Sequence, residues 1–276
     1  MISSDTTPPT AAPAPEWDDQ LLRNPHSVAD KRRRVQKMFA AIAPSYDLNN
    51  RLHSLWMDQA WRRTAVKLAE LTSTDTIVDV ACGTGDLTLA FAARLLTLCS
   101  RTRGRPTAAR ALGIDFTFEM LPIARRKALA LWPGCPEKTI EWLNGDAQAL
   151  PLPDACCDVV SIAFGIRNVA DPAAAIREFF RVLRPGGRLI ILEFSLPTNP
   201  ALRGVYNLYF RHILPRTATL ISGDRTGAYK YLPESVNTFI GREQMAGMMQ
   251  DAGFKDVSQH PMTFGVCVAY RGLAAR

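Results

Sequence analysis

Residues 76–91 read TIVDVACGTGDLTLAF, which is a short apolar run, a loop with two glycines and a run with helical spacing. The pattern predicts a buried strand over 76–80 that passes through Gly83 and Gly85 into a helix over 86–98. In open α/β sheets such a unit marks a ligand site, because backbone N–H groups of the loop and helix N-terminus point at the ligand. The stretch therefore predicts a fold class and a binding site together.

Strands and helices alternate downstream of this unit. The further predicted elements are a strand at 112–115, a helix at 118–131, strands at 140–143 and 159–164, a helix at 172–183, a turn at 184–187, a strand at 189–194, a helix at 245–252 and strands at 257–259 and 266–270. Alternation with short connections is typical of a parallel sheet covered by helices on both faces. We therefore expect an α/β fold with a seven-stranded, mostly parallel, Rossmann-like sheet.

The chain before the first strand has a different character. Residues 1–30 begin with a segment rich in proline, threonine and alanine, and we expect them to form a disordered tail. Residues 31–71 have helical spacing and are expected to form a helical lid over one edge of the domain at 31–276. The basic run at 31–34 is a candidate contact for nucleic acid or lipid, although such runs are more often the solvated start of a helix.

Composition excludes several classes of protein. The 276 residues are 47% hydrophobic with a net charge of +7, which fits a basic soluble protein but does not choose its partner. No run reaches the roughly 18 apolar residues that a membrane span needs, and no signal-peptide pattern is present. The six cysteines form no C-x-x-C pair, which argues against a zinc site. We expect a cytoplasmic protein without a metal site.

The glycine loop does not match the nucleotide-phosphate patterns. Thr88 occupies the third glycine position of G-x-G-x-x-G, and no Gly-Lys-Ser/Thr sequence follows the loop. Asp79 and Asp86 flank the loop, and acidic flanks suit a cationic ligand without phosphate better than a pyrophosphate. S-adenosyl-L-methionine carries a sulfonium and an amino group, so it fits these residues.

Two further acids follow predicted strands. Asp115 follows the second strand, where an acid can accept hydrogen bonds from both hydroxyls of a ribose. It lies 30 positions after Gly85, whereas about 20 is usual, and we assign the excess to a surface-loop insertion at 99–109. Asp146 follows the third strand and can accept a hydrogen bond from an adenine amino group, or else it caps a turn.

Taken together, these residues resemble class I methyltransferases, and more closely the ubiquinone/menaquinone biosynthesis C-methyltransferase family. The matching segments are 35–50 (VQKMFAAIAPSYDLNN), 78–87 (VDVACGTGDL), 115–121 (DFTFEML), 144–151 (NGDAQALP), 162–169 (IAFGIRNV), 180–194 (FRVLRPGGRLIILEF) and 221–236 (ISGDRTGAYKYLPESV). The glycine loop is common to class I methyltransferases, whereas FGIRNV, Tyr46-Asp47 and YLPES are more specific. The resemblance runs from about residue 35 to the C-terminus.

The resemblance implies S-adenosyl-L-methionine as the cofactor. One departure is Ala163, where the family often has a serine that contacts the cofactor. The residues expected to contact the cofactor are Thr84, Asp115, Asp146 and Ala147, together with Gly83, Gly85 and Asp79 of the glycine loop.

The reaction that the resemblance implies is methylation of a ring carbon of a prenylated quinol. A quinone ring is electrophilic. A quinol that loses a hydroxyl proton places negative charge on the neighbouring carbon, which can then attack the sulfonium methyl group. Such an enzyme has to hold the donor, align the ring and handle the phenolic proton.

Arg167, Asn168 and Tyr46 are the candidate catalytic residues. Arg167 follows the fourth strand, and its permanently charged guanidinium can stabilise a phenolate or hold a water that takes the proton, with Asn168 orienting it. The alternatives are that Arg167 pairs with a helix carboxylate and that Tyr46 is a core residue. His53 and His212 are further candidate bases, although a lone histidine is more often structural or at the surface.

Residues 197–240 interrupt the alternation and are expected to cover the substrate. A helix at 202–213 has an apolar face that can take a prenyl tail, while Arg203, Arg211 and Arg216 can contact an anionic membrane. The alternative is that this helix forms a homodimer interface. We expect a cytoplasmic protein that can associate with the inner face of the membrane.

Two quinols are candidate substrates, and they differ in their ring. Segments 221–236 and 80–82 resemble menaquinone-forming members, which favours a naphthoquinol, but a benzoquinol precursor of ubiquinone would use the same machinery.

The nearest rival is a nucleic-acid or protein methyltransferase. Many enzymes that methylate exocyclic nitrogens carry Asn/Asp-Pro-Pro-Tyr/Phe where 164–168 reads FGIRN, and no nucleic-acid partner is expected. The intact loop, Asp115 and Arg167 disfavour a protein that binds nucleotides without turnover.

Overall fold

A computed structural model describes residues 15–100, 110–133, 139–224 and 226–275. Its centre is a seven-stranded sheet with the order β3-β2-β1-β4-β5-β7-β6. The first five strands are parallel, whereas β7 pairs antiparallel with β5 and with β6. The strands are β1 Thr76–Val80, β2 Arg110–Asp115, β3 Ile140–Asn144, β4 Cys157–Ala163, β5 Leu183–Phe194, β6 Lys255–Met262 and β7 Cys267–Ala274. The expected seven-stranded, mostly parallel α/β fold is confirmed.

Ten α-helices are described, and most predicted bounds lie within a few residues of them. The helices are α1 Lys31–Ile42, α2 Tyr46–His53, α3 Met57–Leu68, α4 Asp86–Ser100, α5 Leu121–Leu131, α6 Pro172–Val182, α7 Pro200–Leu208, α8 Leu214–Ser222, α9 Ala228–Asn237 and α10 Arg242–Asp251. A π-helical segment, Tyr209–Ile213, joins α7 to α8. Of the predicted insertion at 99–109, residues 99 and 100 belong to α4 and the rest lie outside the described residues.

The core occupies both faces of the sheet. On one face α6 and α10 pack Phe179, Met245 and Met249 against the strands. On the other face α3 and α4 contribute Trp61 and Phe91. The prediction that the N-terminal helices lie over an edge is therefore wrong for α3. Ala65 in α3 and Ala69 directly after it are both buried, and their small side chains let the helix approach the sheet closely.

The turn predicted at 184–187 is part of strand β5. Leu183 pairs with Cys157 and Arg188 pairs with Val159, so four residues of β5 face a single intervening residue of β4. Gly186 has a φ of +77°, which a residue without Cβ adopts readily. The segment is an irregular bulge and not a strand-terminating turn, because ladder pairing resumes on both sides of it.

Residues 15–30 are ordered, so the predicted disordered tail is wrong over that half. Trp17 is only 1% exposed, and its ring centroid lies 4.4 Å from that of Tyr231. The backbone N–H of Trp17 donates to the carbonyl of Thr226. Burial of a large aromatic side chain stabilises the attachment of this segment. Residues 1–14 lie outside the described residues.

Lys31, the first residue of the basic run, does not belong to a solvated helix start. Lys31 is buried, and its Nζ donates to the carbonyl oxygens of Arg167 at 2.9 Å and Val169 at 2.7 Å. Burial lowers the pKa of Lys31 to about 8. Arg34 pairs with Asp30 one turn earlier. Lys31 thus joins α1 to the loop after β4, where ligands bind in such sheets.

Candidate active site

A first cavity of about 100 Å³ lies at the carboxyl ends of the central parallel strands. This is where the strand order reverses, between β1 and β4, and where open α/β sheets bind ligands. Helix α1 closes the cavity from above with Val35 and Phe39. Lining residues from the sheet side include Gly83, Asp115, Phe116, Gly145, Asp146, Ala147, Gly165 and Asn168.

Asp115 is the buried acid of this cavity. Its carboxylate accepts the backbone N–H groups of Gly83 and Thr117, each at 2.7 Å. Burial raises the pKa of Asp115 to about 6. A carboxylate has about four acceptor positions, so two backbone bonds leave positions free for the hydroxyls of a ribose. The predicted place of Asp115 at a ligand cavity agrees with this geometry.

Asp146 and Ala147 line the other end of the cavity. One oxygen of Asp146 accepts the N–H of Gln148 at 3.0 Å, and the other pairs with Arg32 at 2.9 Å. The Arg32 guanidinium lies over the ring of Phe116, 4.4 Å from its centroid. Asp146 therefore stabilises a turn, as one interpretation expects, and it also lines the cavity, where its bond to an adenine amino group stays a prediction.

Arg32 and Phe116 are cavity residues that the sequence did not single out. Arg32 lies in the basic run, whose role was left open, and Phe116 follows the predicted acid by one position. The signal that could have found Phe116 is its place directly after a strand that ends in a ligand-binding acid. For Arg32 no local signal exists, since its partners lie 84 and 114 positions away.

Three predicted cofactor contacts, Asp79, Thr84 and Gly85, do not line the cavity. A Cβ at Gly85 would lie 2.5 Å from the Trp142 ring, so this glycine permits close packing of the loop. Asp79 accepts the hydroxyls of Ser161 and Thr88, each at 2.6 Å, and burial raises its pKa to about 6. The structure thus gives these residues a supporting role beneath the loop.

Thr84 and Asp86 take part in a charged network that joins the N-terminal helices to the loop. The Thr84 hydroxyl donates to Asp47 at 2.5 Å, and Lys127 contacts both Asp47 and Asp86. Arg51 lies 3.3 Å from Asp86. The acids that flank the loop are therefore engaged by the protein itself, and Asp115 and Asp146 are the ones that line the cavity.

A second cavity of about 350 Å³ adjoins the first. The two share three lining residues, Phe39, Tyr46 and Phe164. Most of the remaining lining is aromatic or aliphatic and comes from helices outside the sheet. Its members include Met38, Ile42, Trp61, Phe194, Tyr206, Tyr209, Phe210, Leu214, Tyr229, Tyr231 and Leu232. Residues 197–240 supply much of this wall.

Arg167 lines the second cavity and is 4% exposed. Its Nη1 donates to Glu193 and to the carbonyl oxygen of Phe164, both at 2.7 Å. The alternative of a carboxylate partner is thus realised, although Glu193 belongs to strand β5 and not to a helix. Asn168 also donates to the Phe164 carbonyl, at 3.3 Å, and accepts the Tyr231 hydroxyl at 2.9 Å.

Tyr46 stands at the boundary between the cavities. A Cβ on Gly83 would lie 3.8 Å from its ring, and its ring meets that of Phe39 edge-on at 6.0 Å. Burial raises the pKa of Tyr46. Of the two candidate histidines, His53 lines the second cavity, whereas His212 is exposed.

The described part of the chain contains neither a cluster of metal-ligating side chains nor a membrane-spanning helix. There, no group of three or more histidine, cysteine, aspartate or glutamate side chains is arranged to hold a metal ion. Within the same residues, no helix has the length and apolarity to cross a membrane.

Residues 27–274 match the model of the ubiE/COQ5 methyltransferase family. The chain belongs to this family. A demethylmenaquinone methyltransferase of Deinococcus radiodurans is 44% identical over 243 residues, covering 88% of this chain and 93% of the relative. One of Thermus thermophilus is 46% identical over 235 residues, covering 85% and 99%. A ubiquinone/menaquinone biosynthesis C-methyltransferase UbiE of Syntrophotalea carbinolica is 43% identical, covering 86% and 93%.

Solved structures of methyltransferases share the fold. An S-adenosylmethionine-dependent methyltransferase of Thermotoga maritima superposes with a TM-score of 0.56 at 20% identity, covering 87% of this chain and 99% of that one. One from Aquifex aeolicus has a TM-score of 0.53 at 17% identity, covering 78% and 89%. Membership of the ubiE/COQ5 family and this fold make the chain a class I methyltransferase.

Proposed function

We propose that this enzyme methylates demethylmenaquinol to menaquinol with S-adenosyl-L-methionine as the donor. The observation that carries the proposal is the pair of adjoining cavities, one with acids at strand ends and one apolar, which share Tyr46 and two phenylalanines. A donor in the first cavity and an apolar acceptor in the second would meet at this shared boundary. The names of the Deinococcus and Thermus relatives favour the naphthoquinol ring.

The residues of the first cavity fit S-adenosyl-L-methionine. Asp115 would accept the ribose hydroxyls, Asp146 the adenine amino group, and Gly83 and Ala147 would let the ligand lie against the backbone. When bound, the donor supplies an electrophilic methyl group on its sulfonium.

The second cavity provides the acceptor's requirements. Its apolar walls suit a fused aromatic ring and exclude water from it. Arg167 keeps a positive charge where a phenolate would form, and its bond to the Phe164 carbonyl holds it in place. Tyr46 and Phe164 would align the ring with the donor, and Asn168 would fix the Phe164 carbonyl from the other side.

The prenyl tail and the membrane would meet at the mouth of this cavity. Helix α2 contacts α8, and the Tyr209 hydroxyl bonds to His53, so the α2–α3 turn and the α7–α8 region are neighbours. Both expose large apolar side chains. These are Leu55, Trp56, Met57, Val205, Leu208, Ile213, Leu220 and Ile221. We include in the proposal a cytoplasmic enzyme that docks this apolar surface on the inner face of the membrane.

Of the three arginines expected to meet lipid headgroups, Arg211 pairs with Glu234 at 3.2 Å. Arg216 bonds to the carbonyl of His212. Arg203 is exposed on α7. The apolar groups therefore carry more of the proposed membrane contact than the charges do.

The deciding experiment supplies labelled S-adenosyl-L-methionine with chemically reduced demethylmenaquinone, and separately with the benzoquinol precursor of ubiquinone. Label in the naphthoquinol alone supports the proposal, and label in both indicates an enzyme tolerant of either ring. A protein that binds the donor but labels neither ring would contradict the quinol assignment. Salt-dependent retention of RNA would then test the rival, a nucleic-acid methyltransferase.

A further inference from the structure

Helix α2 presents one face to the second cavity. Tyr46, Asn50 and His53 lie on it at positions i, i+4 and i+7, and all three line the cavity. The helical rise separates Tyr46 from His53 by roughly 10 Å along the axis. His53 therefore lies farther from the donor side of the cavity than Tyr46 does.

The contacts of His53 are compatible with a proton on Nδ1. The Tyr209 hydroxyl lies 3.2 Å from the carbonyl oxygen of His53, to which it can donate, and the same hydroxyl oxygen lies 3.2 Å from His53 Nδ1. When the single hydroxyl hydrogen is directed to the carbonyl, Nδ1 is the donor in the second bond. Nε2 then carries the lone pair. It is shielded from solvent and has no hydrogen-bond partner among the described residues.

The other titratable groups of this cavity are unsuited to accept a proton. Asp58 and Arg62 form an ion pair at 2.5 Å, and Arg167 pairs with Glu193 at 2.7 Å. Burial raises the pKa of every lining tyrosine, so each stays protonated at neutral pH. These are Tyr46, Tyr206, Tyr209, Tyr229 and Tyr231.

We propose that His53 Nε2 is the base that removes the hydroxyl proton of the quinol, directly or through one water. The inference rests on the proposed function and adds the group that takes the proton. An arginine stays charged and cannot accept it, so Arg167 stabilises the phenolate while His53 receives the proton. Burial lowers the pKa of His53, which keeps the free imidazole neutral and able to act at neutral pH.

Removal of the hydroxyl proton precedes transfer of the methyl group. Nε2 takes the hydroxyl proton, and the oxygen's negative charge extends to the adjacent ring carbon. That carbon forms a bond to the methyl carbon, while the methyl–sulfur bond breaks and its electron pair stays on sulfur. The ring carbon then loses its hydrogen to water as a proton, and the imidazolium returns its proton to the oxygen. One proton is released for each methyl group transferred.

The test compares His53→Ala and His53→Gln with the parent enzyme and with His212→Gln, whose site is an exposed histidine outside both cavities. We expect the His53 variants to lose roughly 10²- to 10⁴-fold in kcat, the usual contribution of a general base. Donor affinity, measured by calorimetry on the same samples, should stay unchanged and show that the variants are folded. Added imidazole should restore part of the activity of His53→Ala and none of that of Arg167→Ala.

A second readout needs no turnover. Nitrogen NMR of the free protein at pH 7 should show His53 as a neutral ring protonated on Nδ1, and Tyr209→Phe should release that preference. A charged ring, or a proton on Nε2, would overturn the proposal. So would His53 variants within threefold of the parent. A parent enzyme that methylates no quinol contradicts the proposed function instead, so the two failures can be told apart.

Discussion

The two cavities are formed by different parts of the chain. The first is formed by backbone and short side chains at the ends of parallel strands, with Asp115 held by two N–H groups of the adjacent loops. The second is formed by large side chains from helices outside the sheet, and its volume is more than three times greater. The comparison indicates that the fold itself supplies the proposed donor site, whereas helices added to the fold supply the proposed acceptor site.

The largest expected effect comes from removing Arg167. Arg167→Ala should lower kcat by about 10³-fold, because a buried positive charge near the developing phenolate is lost. It should also cost about 3–5 kcal/mol in the free energy of unfolding, because Glu193 is left buried without a charged partner. Denaturant unfolding and labelled-methyl transfer measure the two effects.

The double variant Arg167→Ala/Glu193→Gln separates these effects. It should recover most of the lost stability and none of the lost activity. Recovery of activity together with stability would show that Arg167 acts on the fold alone, and the acceptor cavity would then lack its electrostatic component.

Asp115→Asn tests the donor cavity by itself. Donor affinity should fall about 10- to 100-fold, the usual value of hydrogen bonds to a charged group. In the parent protein a ligand that bonds to the ionised carboxylate binds best above the pKa of Asp115, which burial raises to about 6. Affinity should therefore fall about tenfold as the pH drops from 7.5 to 5.

Calorimetry across that range measures the slope, which should be absent in Asp115→Asn. A slope that persists in the variant would assign the titration to Asp79, whose pKa burial also raises to about 6. Affinity for the quinol in the second cavity should not change, since Asp115 does not line it.

Gly85→Ala distinguishes packing from ligand contact in the glycine loop. The added Cβ would meet Trp142 at 2.5 Å, and the backbone has a φ of +84°, so we expect a loss of about 1–3 kcal/mol in stability. Gly204→Ala is the matched control. Nothing lies within 4 Å of a Cβ there, and alanine in a helix should stabilise by about 0.5–1 kcal/mol. Thermal unfolding compares them, and an unchanged midpoint for Gly85→Ala would contradict the packing role.

The smallest effect is expected at the outer surface of the second cavity. Leu208→Gln and Leu220→Gln should each weaken sedimentation with anionic vesicles by roughly three- to tenfold, because each removes one apolar side chain from the membrane contact. Leu129→Gln, at a position on α5 about as exposed as Leu208, should have no effect. Unchanged vesicle binding with loss of a dimer in ultracentrifugation would favour the homodimer interface.

The predictability of each region follows from how local its determinants are. Strand β1 and the loop through Gly83 were predictable because a short apolar run and two glycines lie within ten residues. Trp17 and Lys31 were not, since the first packs on Tyr231 and the second bonds to carbonyl oxygens more than 130 positions away. Acids at strand ends could be proposed from the chain, but only the structure distinguishes Asp115, which faces the cavity, from Asp79, which lies beneath the loop.

The second cavity was the least predictable part. Its residues come from α1, α2, α3, the loop after β4 and the 197–240 segment, and no periodicity within one segment reveals such an assembly. Tyr46 and Arg167 were proposed through family resemblance, whereas His53 gained its significance from the bond to Tyr209 across 156 positions.

Lys31 has a consequence for how the two cavities communicate. Its buried ammonium ties α1, which closes the donor cavity, to the carbonyl of Arg167, whose side chain lines the acceptor cavity. Any shift of α1 would therefore pull on the backbone that carries Arg167. If donor binding raises the affinity for the quinol by some factor, quinol binding has to raise the affinity for the donor by the same factor. Through this one lysine, ligand binding in one cavity would favour ligand binding in the other.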